Sequence, residues 1–184
     1  EVDVPEMLYL AIDGHGDPNT SAAYATAIQA LYAGAYAIRA ALGARTGDDF
    51  VVGPLEGLWT SPDNSVFAAR DKDAWDWTMM IPLPDAVSSQ DVADGLERGA
   101  RKKPGLPIST LRALPLVEGR SLQILHVGTY DDEAATLARL HDEVMPERGL
   151  TFNGPHHEIY LSAPRRVAPE RMRTVLRQPV RPVG

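Results

Sequence analysis

The chain has 184 residues, 44% of them hydrophobic, and a formal net charge of −7 at pH 7. This length allows one compact domain or two small fused ones, and the apolar fraction is sufficient for a proper core. The negative charge argues against a nucleic-acid partner. The sequence has no cysteine, which excludes disulfides, thiol nucleophiles and thiolate metal sites. Without a run of about 18 apolar residues, we expect a cytoplasmic protein with no membrane partner.

Hydrophobic periodicity predicts a strand, a helix and two further strands in the first half of the chain. We expect Thr20 or Ser21 to cap the helix, Gly43 to end it, and Pro82 to stop the third strand. In chain order the predicted elements are a strand at Met7–Asp13, this helix, a strand at Phe50–Thr60, a turn at Ser61–Asp63, a strand at Trp75–Ile81 and a polar helix from Ser88 or Ser89 to about Arg101.

The second half repeats this order of predicted elements. Strands at Leu111–Val117 and Leu122–Val127 flank Glu118–Arg120, a segment that favours a hairpin turn. The elements that follow are a helix with Leu137, Leu140 and Val144 on its core face and Gly149 at its end, a strand within residues 154–162, a short helix at Pro169–Leu176 and a loose tail from Arg177. The sequence therefore predicts an α+β domain, with helices packed on a largely antiparallel sheet.

A weak internal repeat indicates two related modules. Residues 53–59 (Gly-Pro-Leu-Glu-Gly-Leu-Trp) and 154–160 (Gly-Pro-His-His-Glu-Ile-Tyr) lie 101 residues apart, and each follows a predicted strand and a predicted long helix. The alignment matches position 57 with 158 and position 59 with 160. We therefore predict a single domain of two modules, about 7–85 and 110–178, with a linker helix at about 88–103. Modules related by a pseudo-two-fold axis often leave a central ligand groove.

Glu158 is the residue on which the functional prediction depends. Strand alternation places Glu158 and Tyr160 on one face and Ile159 on the other. A glutamate on a buried strand is rare unless it is paired or functional. Two interpretations stay open: a salt bridge to Arg165 or Arg166, or a partly buried carboxylate in an aromatic groove. In the second case Glu158 would bind a cation or act as a general base toward water.

The aromatic residues and histidines also allow alternative interpretations. All three tryptophans, at positions 59, 75 and 77, fall on the second and third predicted strands. They fit either core packing or an aromatic groove for a flat or cationic ligand. The five histidines have no metal-ligand spacing, and the adjacent His156 and His157 should face opposite ways. We find no phosphate loop or dinucleotide fingerprint, and we predict no metal and no cofactor.

Four segments together resemble the GyrI-like small-molecule-binding family. They are Pro54–Trp59, Trp75–Ile81, Gln123–Gly128 and His157–Arg166, and the resemblance extends over roughly residues 7–180 in the expected order. It implies a tandem of strand-helix-strand-strand modules around a central ligand groove. In effector-binding relatives a buried glutamate in that groove meets cationic drugs, and Glu158 is the position that matches it.

The chain most resembles the stand-alone branch known as cyclopropanoid cyclopropyl hydrolases, which open the strained ring of DNA-alkylating natural products in an aromatic cage. The resemblance implies a cofactor-independent, self-protecting hydrolase with Glu158 and Tyr160 as catalytic residues. The alternatives are a non-catalytic binder or sensor of amphipathic or cationic drugs, or an inhibitor that contacts a protein such as gyrase. The candidate ligand-binding residues are Trp59, Trp75, Trp77, Met79, Tyr36, Tyr32, Leu55 and His126.

Overall fold

The computed structural model describes residues 1–60, 74–162 and 166–184. These residues form two compact units: a central unit, Met7–Leu116, and a terminal unit that combines Glu1–Glu6 with Val117–Gly184. The turn predicted at Ser61–Asp63 lies outside the described residues, as does Arg165, one of the two candidate partners of Glu158.

The described chain alternates strands and helices. In chain order these are β1 (Val2–Val4), β2 (Met7–His15), α1 (Ala22–Thr46), β3 (Leu55–Thr60), β4 (Asp76–Leu83), α2 (Ser89–Lys102), β5 (Arg112–Leu116), β6 (Gly119–Val127), α3 (Glu133–Ala138), a π-helical turn (Arg139–Val144), α4 (Met145–Glu147), β7 (Leu150–Phe152), β8 (His156–Tyr160) and β9 (Arg173–Pro182). Single 3₁₀ turns lie at Ile108–Thr110, Tyr130–Asp132 and Pro169–Arg171.

The central unit contains an antiparallel sheet with the strand order β5-β2-β4-β3. Its register sets Gly14 opposite Trp77. α1 covers this face of the sheet, as the contact between the rings of Tyr24 on α1 and Trp77 on β4 shows. The other face carries a second apolar cluster that includes Tyr9 and Met80. The sheet is therefore buried on both faces in this part of the unit.

The helices of the central unit begin and end at recognisable caps. The Ser21 hydroxyl accepts a hydrogen bond from the Tyr24 amide at the start of α1, and Ser88 and Asp91 form a reciprocal capping box at the start of α2. α2 packs on α1 and presents Gly95 to Ile38, where a Cβ atom at position 95 would lie 2.6 Å from the Ile38 Cα. Only glycine permits this close approach of the two helices.

The terminal unit repeats the strand–helix–strand–strand order. Its antiparallel sheet has the order β1-β6-β9-β8, and the short β7 pairs with the far end of β9. The helical stretch from Glu133 to Glu147 packs on this sheet through a cluster of Leu122, Leu140, Met145, Leu150 and Val180. The predicted α+β architecture of antiparallel sheet and packed helices is thus confirmed.

Several predicted boundaries are wrong for physical reasons. α1 continues past Gly43 to Gly47, whose φ of 79° provides the left-handed C-cap. The strand predicted to begin at Phe50 begins at Leu55. Pro82 does not stop β4, because it lies beyond the part of that strand that pairs with β3, where a missing N–H costs no ladder bond.

Two predicted elements do not exist in the predicted form. Glu118–Arg120 is not a hairpin turn, because β5 pairs with β2 whereas β6 pairs with β1 and β9. The last helix is only a single turn at Pro169–Arg171, and the loose tail is part of β9. Alternate residues of β9 are buried from Thr174 to Val180, which is the period of a strand.

Among the described residues, no helix is both long and apolar enough to span a membrane.

Candidate functional site

Glu158 and Tyr160 lie side by side on β8, as predicted. The Tyr160 hydroxyl donates a 2.8 Å hydrogen bond to Oε2 of Glu158, and His156 Nε2 lies 3.5 Å from Oε1. The Glu158 side chain is only 13% exposed, whereas Arg166, one of its candidate partners, is exposed. The geometry favours a partly buried carboxylate held by a phenol.

A second acid, Glu133, belongs to the same region and was missed by the sequence analysis. It opens α3, is 4% exposed, and its buried Oε1 has no hydrogen-bond partner. Burial and, next, the charge of Glu158 raise the pKa of the Glu133 carboxyl to about 8. Asp131 adds to the rise, and the nearby Thr174 hydroxyl opposes it. The electrostatic coupling indicates that the carboxyls of Glu133 and Glu158 are neighbours.

The helical spacing contained a signal for Glu133. It precedes Leu137 by four residues and Leu140 by seven, so it falls on the stripe that the sequence analysis assigned to the core. A carboxylate on a core-facing stripe is as unusual as one on a buried strand. The rarity of carboxylates at buried positions therefore distinguishes Glu133 as well as Glu158.

Tyr130 completes this acid–phenol cluster, which we define as Glu133, Glu158, Tyr130 and Tyr160. The rings of Tyr130 and Tyr160 meet edge to face, with centroids 5.6 Å apart and planes at 78°. Burial, and then the charges of Glu133 and Glu158, raise the pKa of the Tyr130 phenol to about 12. The Tyr130 phenol is therefore protonated at neutral pH. The cluster combines two carboxyl groups with two aromatic walls.

The register of the terminal sheet explains why these side chains share one face. Tyr160 on β8 lies opposite Thr174 on β9, which lies opposite His126 on β6. In antiparallel pairs, directly opposite residues point to the same side. The Glu133 side chain approaches Thr174 from α3.

The central unit has the same register with different side chains. Trp59 on β3 lies opposite Trp77 on β4, which lies opposite Gly14 on β2. The register agrees with the repeat alignment, since Gly57 lies opposite Met79 as Glu158 lies opposite Leu176. One repeat thus carries glycine and tryptophan where the other carries glutamate and tyrosine.

His126 occupies a structural position in the terminal unit. It is 7% exposed, its Nε2 lies 3.0 Å from the Thr129 carbonyl oxygen, and its Nδ1 lies 3.4 Å from the Thr136 hydroxyl. These contacts fix the start of the helical stretch that carries Glu133. A direct contact of His126 with ligand stays a prediction.

The tryptophans and Met79, predicted to bind ligand in the central unit, differ in burial. Trp77 is 3% exposed, and its Nε1 donates to the Gly16 carbonyl at 3.2 Å. Met79 is fully buried next to it in β4. Trp59 meets half-buried Trp75 edge to face, with centroids 5.5 Å apart. Trp59, Trp77 and Met79 are therefore buried, Trp59 being 6% exposed, and Trp75 is the most accessible of the four residues.

Tyr32, Tyr36 and Leu55 lie together at one side of α1. Burial, and then neighbouring Tyr36, raise the pKa of Tyr32, which also hydrogen-bonds to the Leu55 backbone. Tyr36 is 54% exposed. Of the three, Tyr36 is the most accessible to a ligand.

The opposite face of β8 carries a separate buried network. His157 is fully buried, and its Nδ1 lies 2.9 Å from Oε1 of Glu118, while Arg177 Nη1 donates to Oε2 at 2.6 Å. Burial alone would raise the pKa of Glu118, but the hydrogen bonds and charges of His157 and Arg177 hold it below its usual value. His156 and His157 thus face opposite ways, as expected. In the described parts of the chain, no group of three acidic or histidine side chains suits a metal ion.

The terminal unit also has a shallow depression of about 190 Å³ on another part of its surface. It is lined by β6 and the helical stretch, including Leu122, Ile124, Leu140, Arg139 and Arg148. None of the predicted site residues lines it. The acid–phenol cluster, and not this depression, is therefore the candidate site in the terminal unit.

Comparisons with known proteins give a consistent picture. Residues 1–181 match the model of the GyrI-like small molecule binding domain. An uncharacterized conserved protein from Listeria innocua is 39% identical with a TM-score of 0.89, and a hydrolase from the same organism is 38% identical with a TM-score of 0.83. Each match covers 98% of this chain and 90% of the other chain.

More distant matches support the fold alone. The C-terminal domain of EcmrR has a TM-score of 0.61 at 10% identity, with 99% of this chain and 96% of that chain covered. No curated protein matches the chain significantly.

Proposed function

Because the chain belongs to the GyrI-like small-molecule-binding family, we propose that it binds hydrophobic or cationic small molecules and hydrolyses strained, cyclopropane-bearing alkylators. The observation that carries this proposal is the hydrogen bond from Tyr160 to the partly buried carboxylate of Glu158. The likeness to a hydrolase from Listeria innocua supports it. The biological role would be self-protection against DNA-alkylating xenobiotics.

Glu158 is the proposed general base. Its Oε2 accepts the hydrogen bond of Tyr160, so we assign water activation to Oε1. As Oε1 takes a proton from water, the water oxygen bonds to the cyclopropane methylene carbon and one ring C–C bond breaks. The released electron pair moves into a conjugated carbonyl, whose oxygen then takes up a proton. Relief of ring strain drives the step, and a positioned base typically contributes about 10²–10⁴-fold.

Tyr160 positions the base and shapes the site. Its donated hydrogen bond fixes the orientation of the Glu158 carboxylate, and its ring packs against Tyr130. Two aromatic walls beside a carboxylate suit a flat ligand that carries a polar or cationic group. From the sequence we also expect Trp59, Trp75 and Trp77 to contact this ligand, and mutagenesis can test that expectation.

The test is turnover of a cyclopropane-bearing alkylator in H₂¹⁸O, followed by mass spectrometry. We expect accelerated ring opening with one ¹⁸O in the product, and loss of the acceleration in Glu158→Gln with the fold retained. Glu147→Gln, an exposed carboxylate change in the same unit, is the matched control and should react like wild type. Equal ring opening with and without protein would overturn the hydrolase proposal.

A non-catalytic binder is the second candidate function. The buried second acid, Glu133, favours it, because two neighbouring carboxyls create a negative potential suited to organic cations. This alternative predicts tight binding with the ligand recovered intact. A Glu158→Gln variant that keeps affinity but loses turnover would decide for the hydrolase.

A further inference from the structure

We propose that Glu133 and Glu158 form a proton-holding pair that keeps one shared proton in the free protein and releases it when an organic cation binds. The inference deepens the proposed function, since it concerns the same site, and it adds a ligand-dependent change of protonation state. The protonation of each carboxyl would then depend on the other, and binding of a cationic ligand would change the net charge of the two carboxyls.

Three observations support this pair. Glu133 is 4% exposed, and its Oε1 is buried without a hydrogen-bond partner, so one polar atom of the pair is left to meet a proton or a ligand. Glu158 is held from one side by the Tyr160 hydroxyl, which fixes it beside the ring of Tyr130. Thr174 is the residue opposite Tyr160 on β9, and it is also the neighbour of Glu133. Both carboxyls therefore approach the same small space.

The charged groups that act on Glu133 do not neutralise it. The groups that face the pair are Asp131 and Tyr130 from the turn before α3, His156 and Tyr160 from β8, Thr174 from β9, and His126 from β6, which lies opposite Thr174. Among the described groups that act on Glu133, all the charged ones are acidic and none is a lysine or arginine. Two ionised carboxylates would repel each other strongly in this buried setting, so one proton is retained.

A cation changes this balance. With the proton the pair carries one negative charge, and without it two. A bound cation stabilises the doubly charged state, so the Glu133 proton passes to the buffer as the cation enters. By linkage, cation affinity should rise about tenfold per pH unit until Glu133 is ionised in the free protein, and then level off. A neutral ligand of the same shape should show no such dependence.

A matched pair of flat probes tests the proposal: N-methylquinolinium, a permanent cation, and 1-methylnaphthalene, its neutral isostere. Affinities are measured by fluorescence titration from pH 6 to pH 9, and proton release by calorimetry in buffers of different ionisation enthalpy. We expect about one proton released per cation near pH 7, and a pH slope for the cation alone. No binding of the cation, a flat profile, or equal slopes for both probes would overturn the proposal.

Two variants separate this role from a structural one. Glu133→Gln, an isosteric neutral change, should abolish both the pH slope and the proton release. Glu158→Gln should instead shift the slope to lower pH, because Glu133 loses its negative neighbour; this second variant keeps the proposal falsifiable if Glu133→Gln does not fold. Glu147→Gln on α4 is the exposed control and should leave the slope unchanged. A slope that survives in Glu133→Gln would refute the assignment.

The outcome is separable from that of the hydrolase proposal. Turnover of a cyclopropane-bearing alkylator is assayed on the same preparation. Turnover without proton release would remove only the proton-holding pair, whereas proton release without turnover would leave the pair and remove the hydrolase.

Discussion

The ring of Trp77 covers Gly14, its partner on the neighbouring strand, so closely that a Cβ atom at position 14 would lie 2.0 Å from the indole. Trp77 is also held by Tyr24 of α1, with ring centroids 5.1 Å apart, so it cannot easily move away. We expect Gly14→Ala to destabilise the protein by about 1–3 kcal/mol, the usual cost of overpacking. Urea denaturation monitored by tryptophan fluorescence measures this directly.

Gly105→Ala is the matched control for that change. A Cβ atom at position 105 would meet nothing within 4 Å, and this glycine does not adopt a positive φ. Its stability should stay within about 0.5 kcal/mol of wild type. Similar unfolding midpoints for both variants would show that the Trp77 ring does not pack closely against Gly14.

The types and order of most helices and strands were predictable, because they follow from the local hydrophobic periodicity of each segment. Alternation placed Trp77 and Met79 on one buried face of β4, and Ser21 was recognisable as a cap. The wrong predictions concern contacts between residues that are distant in sequence. From its own segment Glu118 is predicted to lie in a turn, but in the structure it is buried and bound by His157 and Arg177, which are distant in sequence. Such a pairing across about 40 to 60 residues leaves no periodic signal in its own segment.

The sequence predicted two residues of the candidate site, Glu158 and Tyr160, but not Glu133. The face shared by Glu158 and Tyr160 follows from strand alternation and is confirmed by their hydrogen bond. The role of Glu133 depends on the approach of α3 to β8, which is a property of packing and not of either segment. Its position on a core-facing stripe was a usable signal, but in the sequence Asp131-Asp132-Glu133 looks like an ordinary acidic helix start.

The buried Glu118 network should contribute strongly to stability. Glu118→Ala would leave the buried His157 and the partly buried Arg177 without their carboxylate partner, and breaking such buried pairs typically costs about 3–5 kcal/mol. Because the pKa of Glu118 is lowered in the folded protein, its stabilisation is present above the ordinary glutamate pKa and is lost as the pH falls through the folded value. Chemical denaturation at pH 7 and pH 4 measures both effects.

Glu1→Ala provides the contrast. Glu1 pairs with Arg120 in the same unit, but both side chains are more than 40% exposed. Exposed ion pairs contribute little, so its unfolding midpoint should hardly change. If Glu118→Ala were equally mild, the buried network would be structurally unimportant.

His141 should make the protein sensitive to acid. Burial, and then the neighbouring His156, lower the pKa of His141 to about 4, whereas an unfolded chain takes up the proton near pH 6.5. The unfolded state therefore binds more protons between these values, and stability falls as the pH drops from about 6.5 to 4, by up to about 3 kcal/mol. Melting temperatures across this range should drop less steeply in His141→Gln. His15→Gln, a change at an exposed histidine, should retain the wild-type slope.

Tyr160→Phe isolates the hydroxyl that holds Glu158. The substitution removes the 2.8 Å hydrogen bond to Oε2 but keeps the ring that packs on Tyr130. If Glu158 is the general base, a less well oriented carboxylate should lower kcat about 10-fold or more and leave KM nearly unchanged, because the lost interaction orients the base and does not bind substrate. Glu147→Gln, at an exposed carboxylate of α4 outside the site, is the control and should keep wild-type kcat. An unchanged kcat in Tyr160→Phe would mean that the phenol does not position the base, whereas a change confined to KM would assign it to ligand binding.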